Sequence, residues 1–349
     1  MNIPTIPPLD QSCMASARAR QNSLTKPQGS LGRLEELSIQ LAGIYAQPLP
    51  SIKDKAIIVM AGDHGVVAEG VSAFPQEVTP QMVLNFLRGG AAINVLARQA
   101  GARLTIVDMG VAVEMPSHPE LLVRKVAPGT RNMAVGPAMS RAQAEQVIQT
   151  GIEVVEAEIA RGLDLVGTGD MGIGNTTPSA AIAAVFTGQS PAQIAGRGTG
   201  LDNAGLERKI AVIERVLVVN RPNPQDGLDV LSKVGGFEIG GLAGVMIGAA
   251  AHRKAVVVDG FISTAAAMLA VSLAPDVRPY LIAAHRSQEN GHGLMLDWLG
   301  LKPLLDFDLR LGEGTGAALA FPILEASLAI LREMATFGEA GVSEKSNPS

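Results

Sequence analysis

The chain has 349 residues, a formal net charge of −5 and 47% apolar residues. This length suits one large domain with an accessory lobe, or two domains. Aromatic residues are scarce at 3% and no long basic run exists, which argues against nucleic acid or an anionic membrane as a partner. Cys13 is the only cysteine, the first residues lack a signal-peptide pattern, and apolar runs such as 239–251 are too short to span a bilayer. We therefore expect a cytoplasmic protein without an intramolecular disulfide and without a membrane partner.

Short apolar runs alternate with helical patterns along most of the chain. A helical pattern covers 12–45 with an interruption at 26–32, and Pro48 and Pro50 then mark a linker. The predicted strands are 56–61, 104–109, 163–166, 255–258 and 280–284. The predicted helices are 78–100, 141–160, 177–186, 206–219, 230–234, 242–251, 263–271, 294–299 and 317–334, and the tail after Phe337 is predicted to be disordered. This alternation predicts an α/β fold with a mostly parallel sheet that helices cover on both faces.

Polar and glycine-rich clusters follow the predicted strands. They are Asp63 with His64, Asp108, the run 167–170, Asp259 with Gly260, and the run 285–288. In parallel sheets, ligands bind beyond the carboxyl ends of the strands. The order of these clusters therefore predicts an enzyme whose site lies at that edge of the sheet.

The stretch 308–316 (DLRLGEGTG) presents a carboxylate on a bare loop. Glu313 has glycine on both sides and apolar sequence before and after it. Apolar surroundings raise the pKa of a carboxyl group because they disfavour its charged form, which suits a general base. The alternative is that Glu313 caps the helix that begins near Ala317, since acidic residues favour helix N-termini.

The glycine-rich segment 167–179 is predicted to be a turn between a strand and a helix. Pro178 fits the first turn of that helix, and Asn175, Thr176 or Thr177 could cap it. Free N–H groups at such a helix start bind phosphate, so we favour a monophosphate or ribose site over a simple tight turn. The acidic residue of a dinucleotide fingerprint and the G-K-[ST] of a P-loop are both absent.

Three further features gave weaker signals. Lys209 stands near a helix start, where most lysines are solvated. Asp63 and His64 resemble half of a metal site, but no second ligand pair is in evidence, so we predict no metal and a hydrogen-bonded His64. In the loop 221–227, either Asp226 caps the next helix or the loop meets a ligand.

Taken together, these motifs resemble those of nicotinate-nucleotide–dimethylbenzimidazole phosphoribosyltransferases. The resemblance runs from about residue 12 to residue 334. Its most specific motifs are KPQGSLG at 26–32, DHG at 63–65, MGIGNTTP at 171–178, NPQDG at 223–227, KVGGF at 233–237, DGF at 259–261 and RLGEG at 310–314. The fold it implies is a Rossmann-like sheet in a large α/β catalytic domain (51–317), with a small helical lobe formed by 1–50 and 318–349.

The resemblance implies transfer of phosphoribose from nicotinate mononucleotide to 5,6-dimethylbenzimidazole. The products are α-ribazole 5′-phosphate, which is used for the lower ligand of cobalamin, and nicotinate. Glu313 matches the general base, inversion occurs at C1′, and no cofactor or metal takes part. The matching phosphate and ribose positions are Asp170, Gly172, Asn175, Lys209, Asp259, Ser287 and Gln288; those of the base pocket are Phe74, Gln81, Met82 and Leu311. A homodimer is also implied.

Three alternatives remain open at this stage. The first is the same fold acting on another acceptor, such as adenine or a phenol, because Phe74 replaces a serine of the relatives. The second is a non-catalytic nucleotide-binding module, although Glu313 and Lys209 are both present. The third is a dinucleotide-dependent oxidoreductase, which the missing acidic residue disfavours.

Overall fold

A computed structural model of the chain describes residues 1–198 and 200–343, which include one six-stranded sheet. Its strands are β1 (Lys55–Gly62), β2 (Arg103–Gly110), β3 (Leu121–Val123), β4 (Leu165–Met171), β5 (Ala255–Val258) and β6 (Leu281–Ala283). The strand order is β3-β2-β1-β4-β5-β6, and every neighbouring pair is parallel. This is the doubly wound order, in which the direction of winding along the sheet reverses between β1 and β4. The prediction of a Rossmann-like, mostly parallel sheet is confirmed.

Helices connect the strands and complete the small lobe. They are α1 (Gln11–Ser23), α2 (Arg33–Tyr45), α3 (Val78–Leu87), α4 (Ala92–Gln99), α5 (Arg141–Ala160), α6 (Thr176–Thr187), α7 (Pro191–Ile194), α8 (Asn203–Asn220), α9 (Gly227–Val234), α10 (Phe237–Ala251), α11 (Phe261–Leu273), α12 (His292–Leu299), α13 (Thr315–Glu333) and α14 (Phe337–Ala340). Two 3-10 helices, Gly65–Glu69 and Pro275–Tyr280, occur in the connections.

Both faces of the sheet are covered, as the alternation predicts. Successive side chains of a strand point to opposite faces, so Ile57 and Met60 of β1 lie on different sides of the sheet. Ile57 packs beside Gly314 at the start of α13, whereas Met60 packs beside Gly241 of α10. The whole of β1 is buried. Parallel strands with two covered faces read as continuous apolar runs, which is why the sequence indicated them clearly.

Four details differ from the sequence prediction. The predicted helix 78–100 is two helices, α3 and α4, because Gly89 adopts a left-handed conformation between them. Strand β4 continues through Asp170, so the glycines at 167 and 169 lie in the strand and not in a turn. Strand β3 and helix α7 were not predicted. The tail after Phe337 contains α14, and residues 344–349 lie outside the described residues.

The two ends of the chain meet in a small helical core. Ala17 of α1, Ile39 and Ala42 of α2, and Leu331 of α13 form a buried cluster apart from the main core. Arg20 donates hydrogen bonds to three backbone carbonyls around the end of α13, among them that of Leu331 at 2.6 Å. The proposed boundary at 317/318 falls inside α13, and the division of the chain into 51–317 and a lobe stays a prediction.

Helix α13 is the one described helix that is long and apolar enough to cross a membrane by length and composition. More than half of the relevant window is buried within the protein. Its first turns pack on the sheet, where Ala317 and Phe321 lie against Gly167. This burial is what the core helix of a globular domain shows, and the apolar sequence of α13 is explained by it.

Candidate active site

The carboxyl ends of β4, β5 and β6 open into a cleft, beside the point where the winding of the sheet reverses. Polar side chains that line it are Asp170, Asn175, Thr176, His285, Ser287, Glu289 and Arg310, beside Leu311 and Gly312. A second cavity adjoins it and is lined by residues that include Gly172, Asn175, Thr176, Gly198 and Lys209. The structure thus brings together residues that follow three separate strands, at the edge of the sheet where the sequence predicts a site.

Glu313 lies at the edge of this cleft on a tightly turned loop. Gly312, Glu313 and Gly314 have φ values of 83°, 63° and 93°, so three consecutive residues are left-handed. The backbone N–H of Glu313 donates to the carbonyl of Asp170 at 3.3 Å. This conformation strains a residue with a side chain, and the flanking glycines permit the loop to adopt it.

The carboxylate of Glu313 is held by one oxygen. Oε2 accepts a hydrogen bond from the backbone N–H of Ile93 in α4 at 3.2 Å, whereas Oε1 makes none within 1–198 and 200–343. Burial raises the pKa of Glu313, the bond from Ile93 opposes that rise, and the nearby Asp259 carboxylate adds to it. A free oxygen on a carboxyl of raised pKa is what a general base requires.

The alternative in which Glu313 caps α13 is wrong, because Asp259 occupies that role. The two oxygens of Asp259 accept from the backbone N–H groups of Gly314 at 3.2 Å and Ala317 at 3.0 Å. Asp259 is fully buried, and this burial raises the pKa of its carboxyl, while His285 and the backbone donors oppose the rise. Asp259 therefore ties the end of β5 to the loop that carries Glu313.

Asp170 is the last buried residue of β4 and faces the cleft. Its Oδ2 accepts a hydrogen bond from the side-chain amide of Asn175 at 2.9 Å. Burial raises the pKa of Asp170 well above its usual range, and the carboxylates of Asp259, Glu238 and Glu313 reinforce that rise. Asn175 precedes α6 but makes no capping bond with its side chain, because that side chain holds Asp170 instead.

Lys209 is fully buried, so the local expectation of a solvated lysine is wrong. Its Nζ donates to Oγ1 of Thr176 at 2.7 Å and to the carbonyl of Gly196 at 3.3 Å. Burial lowers the pKa of Lys209 to about 8, although the nearby Glu289 carboxylate opposes the change. The structure therefore places a buried cation next to the first turn of α6, where helix N–H groups also favour an anion.

The loop after β6 contributes alternate residues to the cleft. His285, Ser287 and Glu289 line it, and all three are buried. The backbone N–H groups of Ser287 and Gln288 are already bonded, to Nδ1 of His292 at 2.8 Å and to the carbonyl of Leu309 at 3.0 Å. The Ser287 hydroxyl and the exposed Gln288 side chain are thus the groups that remain available to a ligand.

The segment predicted to hold the aromatic base borders the second cavity. Val71, Ser72 and Ala73 line that cavity with Gly172 and Lys209, and Oγ1 of Thr79 accepts from the backbone N–H of Ile173 at 3.1 Å. Three of the four predicted base-pocket residues, Phe74, Gln81 and Leu311, are exposed, and Met82 is half-buried. Phe74 and Leu311 are respectively 46% and 55% exposed, so they offer apolar surface to a ligand.

Beneath Gly172 lies a buried ion pair. Nε2 of His64 is 2.7 Å from Oε1 of Glu238, and both side chains are fully enclosed. Burial alone would lower the pKa of His64, but the Glu238 carboxylate outweighs it and raises that pKa. The prediction that His64 is hydrogen-bonded at a strand end is confirmed. A side chain on Gly172 would contact His64 and the carbonyl of Gly62, which explains the glycine.

The prediction for the loop 221–227 has an outcome. Oδ1 of Asp226 accepts from the backbone N–H groups of Leu228 and Asp229, both at 3.1 Å, so Asp226 caps α9 as one of the alternatives proposed. Within the described ranges, no three His, Cys, Asp or Glu side chains cluster closely enough to hold a metal ion.

Four cleft residues were given no individual role from sequence, namely Thr176 as a partner of Lys209, His285, Glu289 and Arg310, and of these His285 entered only as part of the polar run 285–288. The alternation of polar residues at 285, 287 and 289 is the signal that could have found two of them, because alternate residues of an extended segment share a face. Arg310 is mostly exposed and donates to the carbonyl of Gly198 at 3.4 Å.

The chain is similar to known proteins along nearly its whole length. The family model described as Phosphoribosyltransferase matches residues 6–342. A protein of Roseiflexus sp. (strain RS-1), named nicotinate-nucleotide–dimethylbenzimidazole phosphoribosyltransferase, is 62% identical over 98% of this chain and 97% of its own length. A protein of the same name from Chloroflexus aggregans is 62% identical over 97% of this chain and 96% of its own.

A solved structure shows the same fold. The crystal structure of CobT from Thermus thermophilus superposes with a TM-score of 0.93 at 50% sequence identity. The match covers 96% of this chain and 100% of that one.

Proposed function

Since the chain is a phosphoribosyltransferase of the nicotinate-nucleotide–dimethylbenzimidazole family, we propose that it transfers phosphoribose from nicotinate mononucleotide to 5,6-dimethylbenzimidazole. The products are α-ribazole 5′-phosphate and nicotinate. The observation that carries the proposal is the Glu313 carboxylate, which has one anchored oxygen, one free oxygen and a raised pKa beside the cleft.

The reaction is a displacement at C1′ of the ribose. The lone pair of the unprotonated benzimidazole nitrogen forms the new bond to C1′, on the face opposite the nicotinate. The bond from C1′ to the pyridinium nitrogen breaks, its electron pair returns to the ring, and nicotinate leaves without needing an acid. The β-nucleotide thus becomes an α-nucleotide by inversion.

Glu313 is the general base of this step. The benzimidazole N–H becomes acidic as the other ring nitrogen bonds to C1′, and Oε1 of Glu313 takes that proton. The hydrogen bond from Ile93 to Oε2 fixes the direction of the free oxygen. The carboxyl oxygens of Asp170 and Asp259 carry negative partial charge, which stabilises positive charge that develops on the ribose ring.

The nucleotide binds across the two cavities. Lys209 pairs with the 5′-phosphate, aided by Gly172 in the adjoining loop and by Ser287 and Gln288 from the loop after β6. Asp170, which Asn175 orients at 2.9 Å, contacts the ribose. Asp259 acts on the ribose through the loop it holds, because both its oxygens are already bonded to backbone N–H groups.

The acceptor base binds against the segment 74–82 and Leu311. The exposed apolar side chains of Phe74 and Leu311, with Met82 and the amide of Gln81, suit a flat aromatic ring that carries two methyl groups. We further propose that the protein acts in the cytoplasm as a homodimer.

A product assay tests the proposal. The purified protein is incubated with nicotinate mononucleotide and 5,6-dimethylbenzimidazole, and α-ribazole 5′-phosphate and nicotinate are measured. Formation of both in equal amounts supports the proposed reaction. Absence of product from folded protein contradicts this choice of acceptor, and a panel of purines and phenols then identifies the base that is used.

A further inference from the structure

The break between α3 and α4 is held together by one buried side chain. Asn94, in the first turn of α4, is 8% exposed. Its Oδ1 accepts from the backbone N–H of Ala91 at 3.0 Å, and its Nδ2 donates to the carbonyl of Phe86 at 2.9 Å. Asn94 therefore joins the end of α3 to the start of α4 across the glycines at 89 and 90.

This same break sets the position of one backbone donor. Ile93 precedes Asn94, is fully buried, and donates its N–H to Oε2 of Glu313 at 3.2 Å. Had the helix run unbroken from 78 to 100, this N–H would bond to a carbonyl one turn earlier. Ending α3 at Leu87 and restarting at Ala92 releases the N–H for the carboxylate.

We propose that Asn94 is a positioning residue for Glu313, acting through the start of α4 and the Ile93 N–H. The inference deepens the proposed function and rests on it only where Glu313 acts as the base. The side chain of Asn94 fixes the backbone turn between α3 and α4. This turn directs the Ile93 N–H towards Oε2 of Glu313, so that Oε1 is the oxygen left free for the reaction.

The groups around Glu313 explain why this donor matters. Asp170 on β4 and Asp259 after β5 are acidic, and His285 after β6 lies 3.8 Å from Asp259. Helix α4 contributes no charged side chain at this end, since Arg98 lies in its last turn and donates to the carbonyl of Gly89. Helix α4 therefore stabilises the charged form of Glu313 through the Ile93 N–H and the positive end of its dipole. The neighbouring acidic groups have the opposite effect.

The test compares two buried asparagines. Asn220 is 6% exposed, lies at the end of α8 about three turns beyond Lys209, and its Nδ2 donates to the carbonyls of Met133 and Val216. The variants are Asn94→Ala, the milder Asn94→Ser, and Asn220→Ala as the matched control. Each is examined by thermal unfolding, by the pH dependence of kcat, and by ¹³C NMR titration of glutamate side-chain carboxyls, with the Glu313 signal identified by its loss in Glu313→Gln.

Asn94→Ala is expected to raise the pKa of Glu313, because the hydrogen bond from Ile93 weakens. The pH profile of kcat should therefore shift upward by roughly one pH unit, with reduced turnover at the low-pH side and recovery as the pH rises, while KM for nicotinate mononucleotide stays unchanged. Asn94→Ser should show the same changes to a smaller degree. Asn220→Ala should lower the unfolding temperature without either change.

An unchanged Glu313 titration in folded Asn94→Ala and Asn94→Ser overturns the inference. The NMR titration does not depend on activity, so it separates this inference from the proposed reaction. If Glu313→Gln keeps full turnover, Glu313 is not the base, and the titration still decides whether Asn94 positions its carboxyl.

Discussion

The two ends of the parallel sheet differ in whether their buried polar groups are hydrogen-bonded. At the amino end, Glu158 is 3% exposed and bonds to Thr105 at 2.8 Å, to Arg161 at 2.7 Å and to Arg103 at 3.2 Å. At the carboxyl end, several buried side-chain atoms have no hydrogen-bond partner among residues 1–198 and 200–343, among them Oδ1 of Asp63, Oε2 of Glu238, Nδ1 of His285 and Oε2 of Glu289.

Leaving a buried polar atom unpaired costs about 1–3 kcal/mol, so folding alone would not collect several of them at one edge. The amino end pairs its buried charges, whereas at the carboxyl end His285 and Glu289, which line the cleft, keep atoms free for the proposed ligand. Glu158 and Glu313 are both buried glutamates. Glu158 is fully paired and stabilises the fold, whereas Glu313 keeps a free oxygen for the proposed reaction.

The sharpest way to test the comparison is Glu313→Gln. Turnover should fall roughly 10²–10⁴-fold, the usual contribution of a general base, because glutamine cannot accept the proton. The fold should persist, since the amide retains an oxygen for the Ile93 N–H. Steady-state product formation and thermal unfolding measure the two effects. Turnover within a factor of about three of the natural protein would remove Glu313 from this role.

The next effect concerns Lys209, which we compare with Lys55. Lys55 is 8% exposed, lies at the amino end of β1 and pairs with Glu325. Lys209→Met should raise KM for nicotinate mononucleotide by about 100-fold, because it removes a charge-assisted bond to phosphate. KM for the benzimidazole should change much less. Lys55→Met should leave both KM values unchanged, and equal weakening of both substrates by Lys209→Met would contradict a phosphate role.

A stability effect is expected from Glu158→Gln. The substitution removes the charge that pairs with Arg103 and Arg161 and should lower the free energy of unfolding by about 2 kcal/mol. Chemical denaturation measures this loss, and kcat of the folded enzyme should not change. A reduced kcat with unchanged stability would contradict the interpretation that Glu158 serves stability alone.

The smallest effect is a pH dependence of substrate binding. The pKa of Lys209 is about 8, so its charge and its attraction for phosphate are present below that pH and are lost above it. KM for nicotinate mononucleotide should therefore rise roughly tenfold between pH 7 and pH 9. In Lys209→Met this rise should be absent. A rise of the same size in the variant would assign the titration to another group.

The sheet was predictable from sequence because its strands are buried on both faces and read as apolar runs. Strand β3 was missed because it has only three residues and Val123 is 51% exposed, which leaves no periodic signal. The break between α3 and α4 was missed because the apolar pattern continues across Gly89 and Gly90. The contacts that hold this break in place are those of Asn94 and that of Ile93 with Glu313, the second of which joins positions 220 residues apart.

The site was predictable only in part. The glycines around Glu313 indicated a bare carboxylate, and this signal is local. The importance of Lys209 came from the family resemblance alone, because its burial depends on Thr176 and Gly196 in other segments. The capping role of Asp259 likewise depends on a contact with the start of α13, 55 residues later, which no local pattern displays.

The strained backbone at Glu313 also has a consequence for directed evolution of this protein. A left-handed conformation at a residue with a side chain costs about 1–2 kcal/mol, and glycine or asparagine adopts it more easily. A screen that rewards only expression or heat tolerance would therefore favour replacement of Glu313. Directed evolution of this scaffold needs a product-based readout in every round, because such a replacement would relieve strain and remove the proposed general base.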